Sequence, residues 1–244
     1  MSAAVTDPAA KPSSAANKLE ALRELAPGLW VAERPLRFLG CELGTRMTVI
    51  RLTDGELFVH SPVALGWQTK YEIDLLGAVK AVVAPNRFHH LYVKDFAEFF
   101  PNARFFAAPG LSLKRRDLTF HGTLTDSADP LWAGQIDQVV FRAAPLLNEV
   151  VFFHASTRTL LLTDLAMNVQ FTASRLTRRV LQLDGIYGRF GVGRLDKWVV
   201  RDRAAARRVI DRILEWDFDR IILAHGYVVN SGGKDMLRDA YAWL

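Results

Sequence analysis

Ala81-Val82-Val83-Ala84-Pro85-Asn86-Arg87-Phe88-His89-His90-Leu91-Tyr92-Val93 is the stretch that decides the reading of this chain. A short apolar run ends in Pro-Asn. Two adjacent histidines follow, and then Val93, Phe96, Ala97 and Phe100 recur at the spacing of one helix face. The histidines therefore fall in the loop between a buried strand and a helix start. In α/β folds that is where chemistry sits, beyond the carboxyl end of a strand. Neighbours in an extended strand point to opposite faces, but in a turn two neighbours can converge on one ion.

Outward from this stretch the chain alternates strands and helices. Strand 79–84, helix 91–99 and strand 104–108 make a βαβ unit with parallel strands. Upstream, 29–33 reads as a strand, and 47–52 and 56–60 as a hairpin around Asp54-Gly55. A helix over 69–76 stops at Gly77. A short helix is expected over 18–25, and residues 1–17, rich in Ala, Ser, Pro and Lys, read as a disordered tail. Downstream, 111–135 reads as surface loops, and 139–143, 149–154 and 159–163 as strands. A helix over 173–183 leads into a glycine-rich loop at 185–193, whose aromatics and arginines are expected to line a pocket or form a lid. The cleanest helix is 202–216, with Asp202 as its cap and an apolar stripe through Ala206, Ile210 and Ile213. Strand 220–224 ends in His225-Gly226. The whole of 18–244 is expected to be one domain.

Composition narrows the function classes. Half of the 244 residues are hydrophobic and 23% are charged, as in ordinary globular proteins. The net charge of +5 comes largely from arginine, including Lys114-Arg115-Arg116, Arg178-Arg179 and Arg207-Arg208. Acidic residues alternate with these runs and no nucleic-acid motif is present, so they read as solvated faces and no nucleic-acid partner is expected. Cys41, the single cysteine, excludes an intrachain disulfide and a cysteine-rich zinc site. No signal-peptide pattern and no apolar run of membrane length occurs, so the expected location is cytoplasmic, with no membrane partner. There is no Gly-x-Ser-x-Gly elbow and no P-loop, and the glycine run at 188–193 is not set between a strand and a helix.

Three strand ends carry metal-capable side chains: His89 and His90, Asp164, and His225. Imidazole and carboxylate suit zinc, and also iron or manganese. His121 and His154 read as structural histidines, and Asn86 as a residue that bonds loop backbone.

In element order, and in its Pro-Asn-x-Phe-His-His and Thr-Asp-Leu segments, the chain resembles a divergent branch of the metallo-β-lactamase superfamily. The resemblance covers about residues 28–232. It implies an α/β fold, an αβ/βα sandwich of two packed mixed β-sheets with helices on the outer faces. The family signature His-x-His-x-Asp-His would fall with its last two positions on His89 and His90 and its first two on Pro85 and Arg87. A third family histidine would fall on Pro145, with Glu149 where its segment has a serine. The bridging aspartate matches Asp164 in Leu162-Thr163-Asp164-Leu165, and the last histidine matches His225. His60 stands where the family has an aspartate.

By this resemblance the first half of a two-metal site is lost. What remains implies one divalent metal, zinc ahead of iron or manganese, held by His89, His90, Asp164 and His225. Arg87 would replace missing metal charge or hold an anionic group of a small-molecule substrate. His89, Arg87 and Asp164 are then the catalytic candidates, with His89 either a ligand or a general base. Four protein ligands would close a zinc tetrahedron, which disfavours catalysis. The implied activity is hydrolysis of a small ester, lactone, thioester or phosphoester. The alternatives are a non-catalytic binder or scaffold on the same fold, and a mononuclear iron oxidoreductase. The oligomeric state is not legible.

Overall fold

The computed structural model describes residues 21–244, so the expected tail at 1–17 lies outside the described residues. In chain order, β1 (Arg23–Ala26) and β2 (Leu29–Arg34) pair antiparallel, and β3 (Arg37–Phe38) and β4 (Cys41–Glu42) form a small separate hairpin. Next come β5 (Thr45–Arg51), β6 (Leu57–His60), α1 (Trp67–Leu76), β7 (Val79–Ala84), α2 (Val93–Phe99) and β8 (Arg104–Ala107). α3 (Leu111–Lys114) and β9 (Gly122–Thr123) complete the first half. The second half holds β10 (Ile136–Phe141), β11 (Glu149–His154), β12 (Thr159–Leu161), α4 (Arg175–Asp184), α5 (Arg194–Val199), α6 (Arg203–Glu215), β13 (Arg220–Ile222) and α7 (Gly233–Ala240).

Two sheets result, ordered β1-β2-β5-β6-β7-β8-β9 and β10-β11-β12-β13. Strand alternation decides what lies on each face. From β7, Ala81 and Val83 face the second sheet and join Phe58, Phe106, Trp132 and Phe152 in the core between the sheets. Val82 and Ala84 face outward and pack with Ile73 of α1 and with Val93 and Phe96 of α2. On the far side of the second sheet, Phe141 and Phe153 pack with Ala206, Ile210 and Ile213 of α6 and Leu237 of α7. This is the expected αβ/βα sandwich. The Asp202 carboxylate accepts from the Ala205 amide at 2.8 Å and caps α6 as read, worth about 1 kcal/mol.

Three expectations need correction. The segment around 18–25, where described, is not helical: Arg23–Ala26 is an edge strand against β2, tertiary pairing having overridden local helix preference. The stretch 111–135 is not all surface, because Leu111, Leu124 and Trp132 are buried and Trp132 packs on Phe58 and Phe106. Those residues follow no period, so the sequence carries no element signal there. The loop at 185–193 forms no lid over the site: Phe190 packs on the core of the second sheet. α5, a six-residue helix with no buried residue, is not announced by an apolar stripe.

Parallel pairing positions the site. β6, β7 and β8 run parallel in the first sheet, and β12 and β13 in the second. The carboxyl ends of β6, β7, β12 and β13 meet at one edge of the sandwich.

Candidate metal centre

His89, Asp164 and His225 converge at that edge, each offering a ligand atom within 4.8 Å of the others. His89 Nε2 lies 3.4 Å and His225 Nε2 3.2 Å from the same oxygen, Asp164 Oδ1. In both rings the other nitrogen is held. His225 Nδ1 is 2.7 Å from the Gly44 carbonyl, which can only accept, so Nδ1 carries a proton and Nε2 is the atom turned to Asp164. His89 Nδ1 bonds Ser61 Oγ at 2.8 Å. Imidazoles fixed through one nitrogen so that the other faces a shared point are what a metal site needs. Two backbone features make this possible. Ser61 takes a left-handed φ of +56° at the end of β6, a conformation uncommon for a non-glycine residue. Gly226, at φ +85°, turns the chain after His225 where a Cβ would collide with the Asn168 carbonyl.

Asn86 and Glu149 hold the carboxylate and its loop. Asn86 Oδ1 accepts from the amides of Phe88 (2.7 Å) and His89 (2.8 Å), the loop bond expected of it. Its amide Nδ2 donates to Asp164 Oδ2 at 2.6 Å and to Thr163 Oγ1 at 2.9 Å. One side chain thus ties the histidine loop to the aspartate loop. Glu149 is fully buried and accepts from the amides of Thr163 (2.7 Å), Asp164 (2.7 Å) and Leu165 (3.1 Å). It shapes the loop that presents Asp164.

Charge follows this arrangement. Burial pushes the Asp164 carboxyl up, but His89 and His225 facing it outweigh burial and hold it well below the carboxylate range. Burial pushes His89 down, and Asp164 and Glu149 more than reverse this, so its affinity for a proton is raised. Burial, then the Asp164 charge, raises Glu149. The cluster is short of positive charge in its neutral-imidazole form, which a proton or a cation would supply.

Of the four expected ligands, His90 stays outside the group. Its Nδ1 lies 2.7 Å from an Arg115 guanidinium nitrogen. Guanidinium only donates, so Nδ1 accepts and the ring proton sits on Nε2. Burial, with Lys114 and Arg115 adding, lowers its pKa to about 4. His90 is therefore a neutral hydrogen-bond donor, and the group among the described residues that could hold a metal has three members, His89, Asp164 and His225. Arg87 also lies elsewhere: its guanidinium bonds the Pro145 carbonyl at 3.1 Å and packs by Gly110, off the cavity wall. Two positions that the resemblance would assign to lost ligands thus touch each other. His60 is buried beside Phe152, and burial, then His89, lowers its pKa to about 3. His154 bonds Thr157 and Ser156, and His121 accepts from the Phe105 amide, both structural as read.

A cavity of about 520 Å³ opens above the triad. His89, His90, Asp164, His225, Asp196 and Lys114 are among its polar groups, and its walls are mostly apolar. Asp196, on α5, is half-buried. Its pKa is raised to about 7, first by burial and then by Asp164 and Asp184. Sequence reading missed Asp196, because it lies in a helix with no periodic signal, and missed Ser61, because a backbone angle makes its contribution. The role of Arg115 was hidden in a basic run.

The two sheets, the outer helices and the His/Asp cluster at the sheet edge define a protein of the metallo-β-lactamase fold. Solved structures agree. The metallo-β-lactamase DIM-1, exposed to ceftazidime, matches with TM-score 0.65 and 12% identity over 93% of this chain and 99% of its own. A metallo-β-lactamase from Pontibacter korlensis matches with TM-score 0.60 and 12% identity over 91% of this chain and 100% of its own. FIM-1 from Pseudomonas aeruginosa, solved in its mono-zinc form, matches with TM-score 0.63 and 11% identity over 94% and 98%. Within that fold the chain belongs to the family described as a domain of unknown function, DUF4336, which matches residues 27–184. That match includes His89 and Asp164 and ends before Asp196 and His225. No curated protein matches the chain. No helix among the described residues is long and apolar enough to cross a membrane.

Proposed function

We propose that this protein is a metal-dependent hydrolase of a small ester, lactone, thioester or phosphoester, with one divalent metal held by His89, Asp164 and His225. The observation that carries the reading is the pair of pinned imidazoles whose Nε2 atoms face one carboxylate oxygen. Three protein ligands are the catalytic pattern for zinc, where four would be structural. A metal bound there supplies Lewis acidity and a water that is acidic near neutral pH.

The chain's own residues do the rest. Ser61 and the Gly44 carbonyl orient the two rings, and Asn86 orients the carboxylate. His90, kept neutral by burial and by the neighbouring Lys114 and Arg115 cations, offers an N–H to a carbonyl or phosphoryl oxygen that gains charge in the transition state. Asp196, at about 7, can accept a proton from water or return one to a leaving group near neutral pH. A bound cation would offset the Asp164 share of that shift and leave the burial share. Apolar walls exclude bulk water and strengthen these interactions.

The test is hydrolysis of a panel of esters, thioesters, lactones and phosphodiesters by zinc-loaded protein. The wild type is expected to turn over one class, Asp164→Ala and His225→Ala to lose turnover and metal together, and His90→Ala to lose turnover but keep metal. A metal-loaded protein that hydrolyses none of the panel would overturn the reading. Two histidines and one carboxylate are also the ligands of non-haem iron, so iron-loaded protein belongs in an oxygen electrode as well. Oxygen consumption there, lost in Asp164→Ala, would move the assignment to oxidative chemistry.

A further inference from the structure

The cavity above the triad has two unlike sides. Leu36, Phe38, Leu43, Leu147 and Met167 line an apolar chamber, and its volume is that of a site for a small organic molecule. Its mouth is flanked by apolar residues that solvent reaches: Phe38 at 50%, Leu91 at 55% and Leu146 at 50% exposure. A monomer surface rarely leaves such a patch around a cavity unless something apolar enters.

The other side is cationic. Lys114 lines the cavity, with Arg115 bonded to His90, and Arg87 and Arg116 nearby in the chain or in contact. Arg115 pairs with Asp117, but among the described residues Arg87, Lys114 and Arg116 have no carboxylate partner. The Lys114 ammonium is spent on the Arg87 carbonyl at 2.7 Å and on the face of Phe88. This clustering of cations calls for an anion that the protein does not supply.

We infer that the substrate is a single-chain amphiphile: an acyl ester or thioester whose aliphatic chain fills the chamber and whose leaving-group side carries phosphate or carboxylate against Lys114 on the cationic side. The inference rests on the hydrolytic reading and names its substrate class. In the reaction the carbonyl carbon gains the hydroxyl of water and its bond to the ester oxygen or thioester sulfur breaks. The remaining proton goes to that leaving atom, giving a fatty acid and an alcohol or thiol. The scissile carbonyl lies between the two sides of the cavity, next to the triad and His90.

Binding tests this without turnover. Isothermal titration of zinc-loaded protein with decyl phosphate, butyl phosphate and decyltrimethylammonium, all below micelle formation, is expected to rank decyl phosphate at least tenfold tighter than either of the others. Leu146→Glu changes a half-exposed wall residue and is expected to erase the advantage of decyl over butyl. Lys114→Glu is expected to erase the advantage of phosphate over ammonium. Equal binding of decyl and butyl phosphate, or no response to either variant, would overturn the inference. So would sedimentation with phosphatidylglycerol vesicles in the absence of decyl phosphate binding, which would make the patch a surface contact. Selective binding of decyl phosphate with no hydrolysis of any ester, thioester, lactone or phosphodiester of the panel would sink the hydrolytic reading and leave the amphiphile site standing. Hydrolysis of acetyl and decanoyl thioesters at equal efficiency would do the reverse.

Discussion

The two halves of the site floor are built in opposite ways. On one side, His89, Asp164 and His225 present free ligand atoms toward a common point, each held from behind by Ser61, Asn86 or the Gly44 carbonyl. On the other, the positions that the family resemblance would give to lost ligands are knitted into backbone. The Val150 amide bonds the Pro85 carbonyl at 2.7 Å, the Arg87 amide bonds the Leu147 carbonyl at 3.0 Å, and the Arg87 guanidinium bonds Pro145. The first half is prepared for an ion. The second has become a clasp between the loop after β7 and the loop before β11.

Substitutions on the two sides are expected to separate cleanly. The largest effect is Asp164→Ala, which removes the oxygen that both imidazoles face. Its cost in metal affinity, read by competition with a chelating indicator, should exceed the ~10–100-fold that loss of an outer partner costs. If Asp164→Ala binds metal as tightly as wild type, the contrast between the halves is gone.

Next comes His60, the buried imidazole behind the prepared half. In the unfolded chain it takes a proton as the pH falls through 6.5, whereas in the folded protein it resists protonation down to about 3. Between those values the unfolded state binds more protons, so stability falls as the pH drops through the window. Over the whole window the loss accumulates to about 5 kcal/mol. Urea titrations at pH 7 and pH 4 should show His60→Asn losing less stability on acidification than wild type. An unchanged difference would place the acid sensitivity in other groups.

Asn86→Ala sharpens the comparison, because Asn86 touches the prepared half without being a ligand. It should lower metal affinity ~10–100-fold while the three ligands remain. The smallest effect belongs to the clasp. Arg87→Ala removes the side-chain bond to Pro145 and should cost about 1 kcal/mol in urea unfolding, with metal affinity unchanged. A large loss of metal in that variant would mean that the clasp shares in binding.

How much of this the sequence disclosed depends on where each contribution originates. The strands and helices with clear periodicity, such as β7 and α6, were legible because burial repeats along them. The triad was legible because each member follows a short apolar strand. His90 is a ligand candidate by sequence and lies outside the cluster in the fold, since nothing in a His-His pair tells which imidazole turns inward. That is decided by Arg115, which is 25 residues away in sequence. Glu149 carries little weight as one acidic residue at a strand start, and its role appears only when three amides of another loop close on it. Ser61 depends on a left-handed backbone, and Asp196 on a short helix whose place is set by the surrounding fold.

The central claim, one prepared half and one clasped half, is tested most directly by the metal content of protein reconstituted with excess zinc and then desalted, measured by elemental analysis. The account predicts one zinc per chain. Two per chain would show that the clasped half still binds an ion, and none would show that the prepared half does not; either result would contradict it.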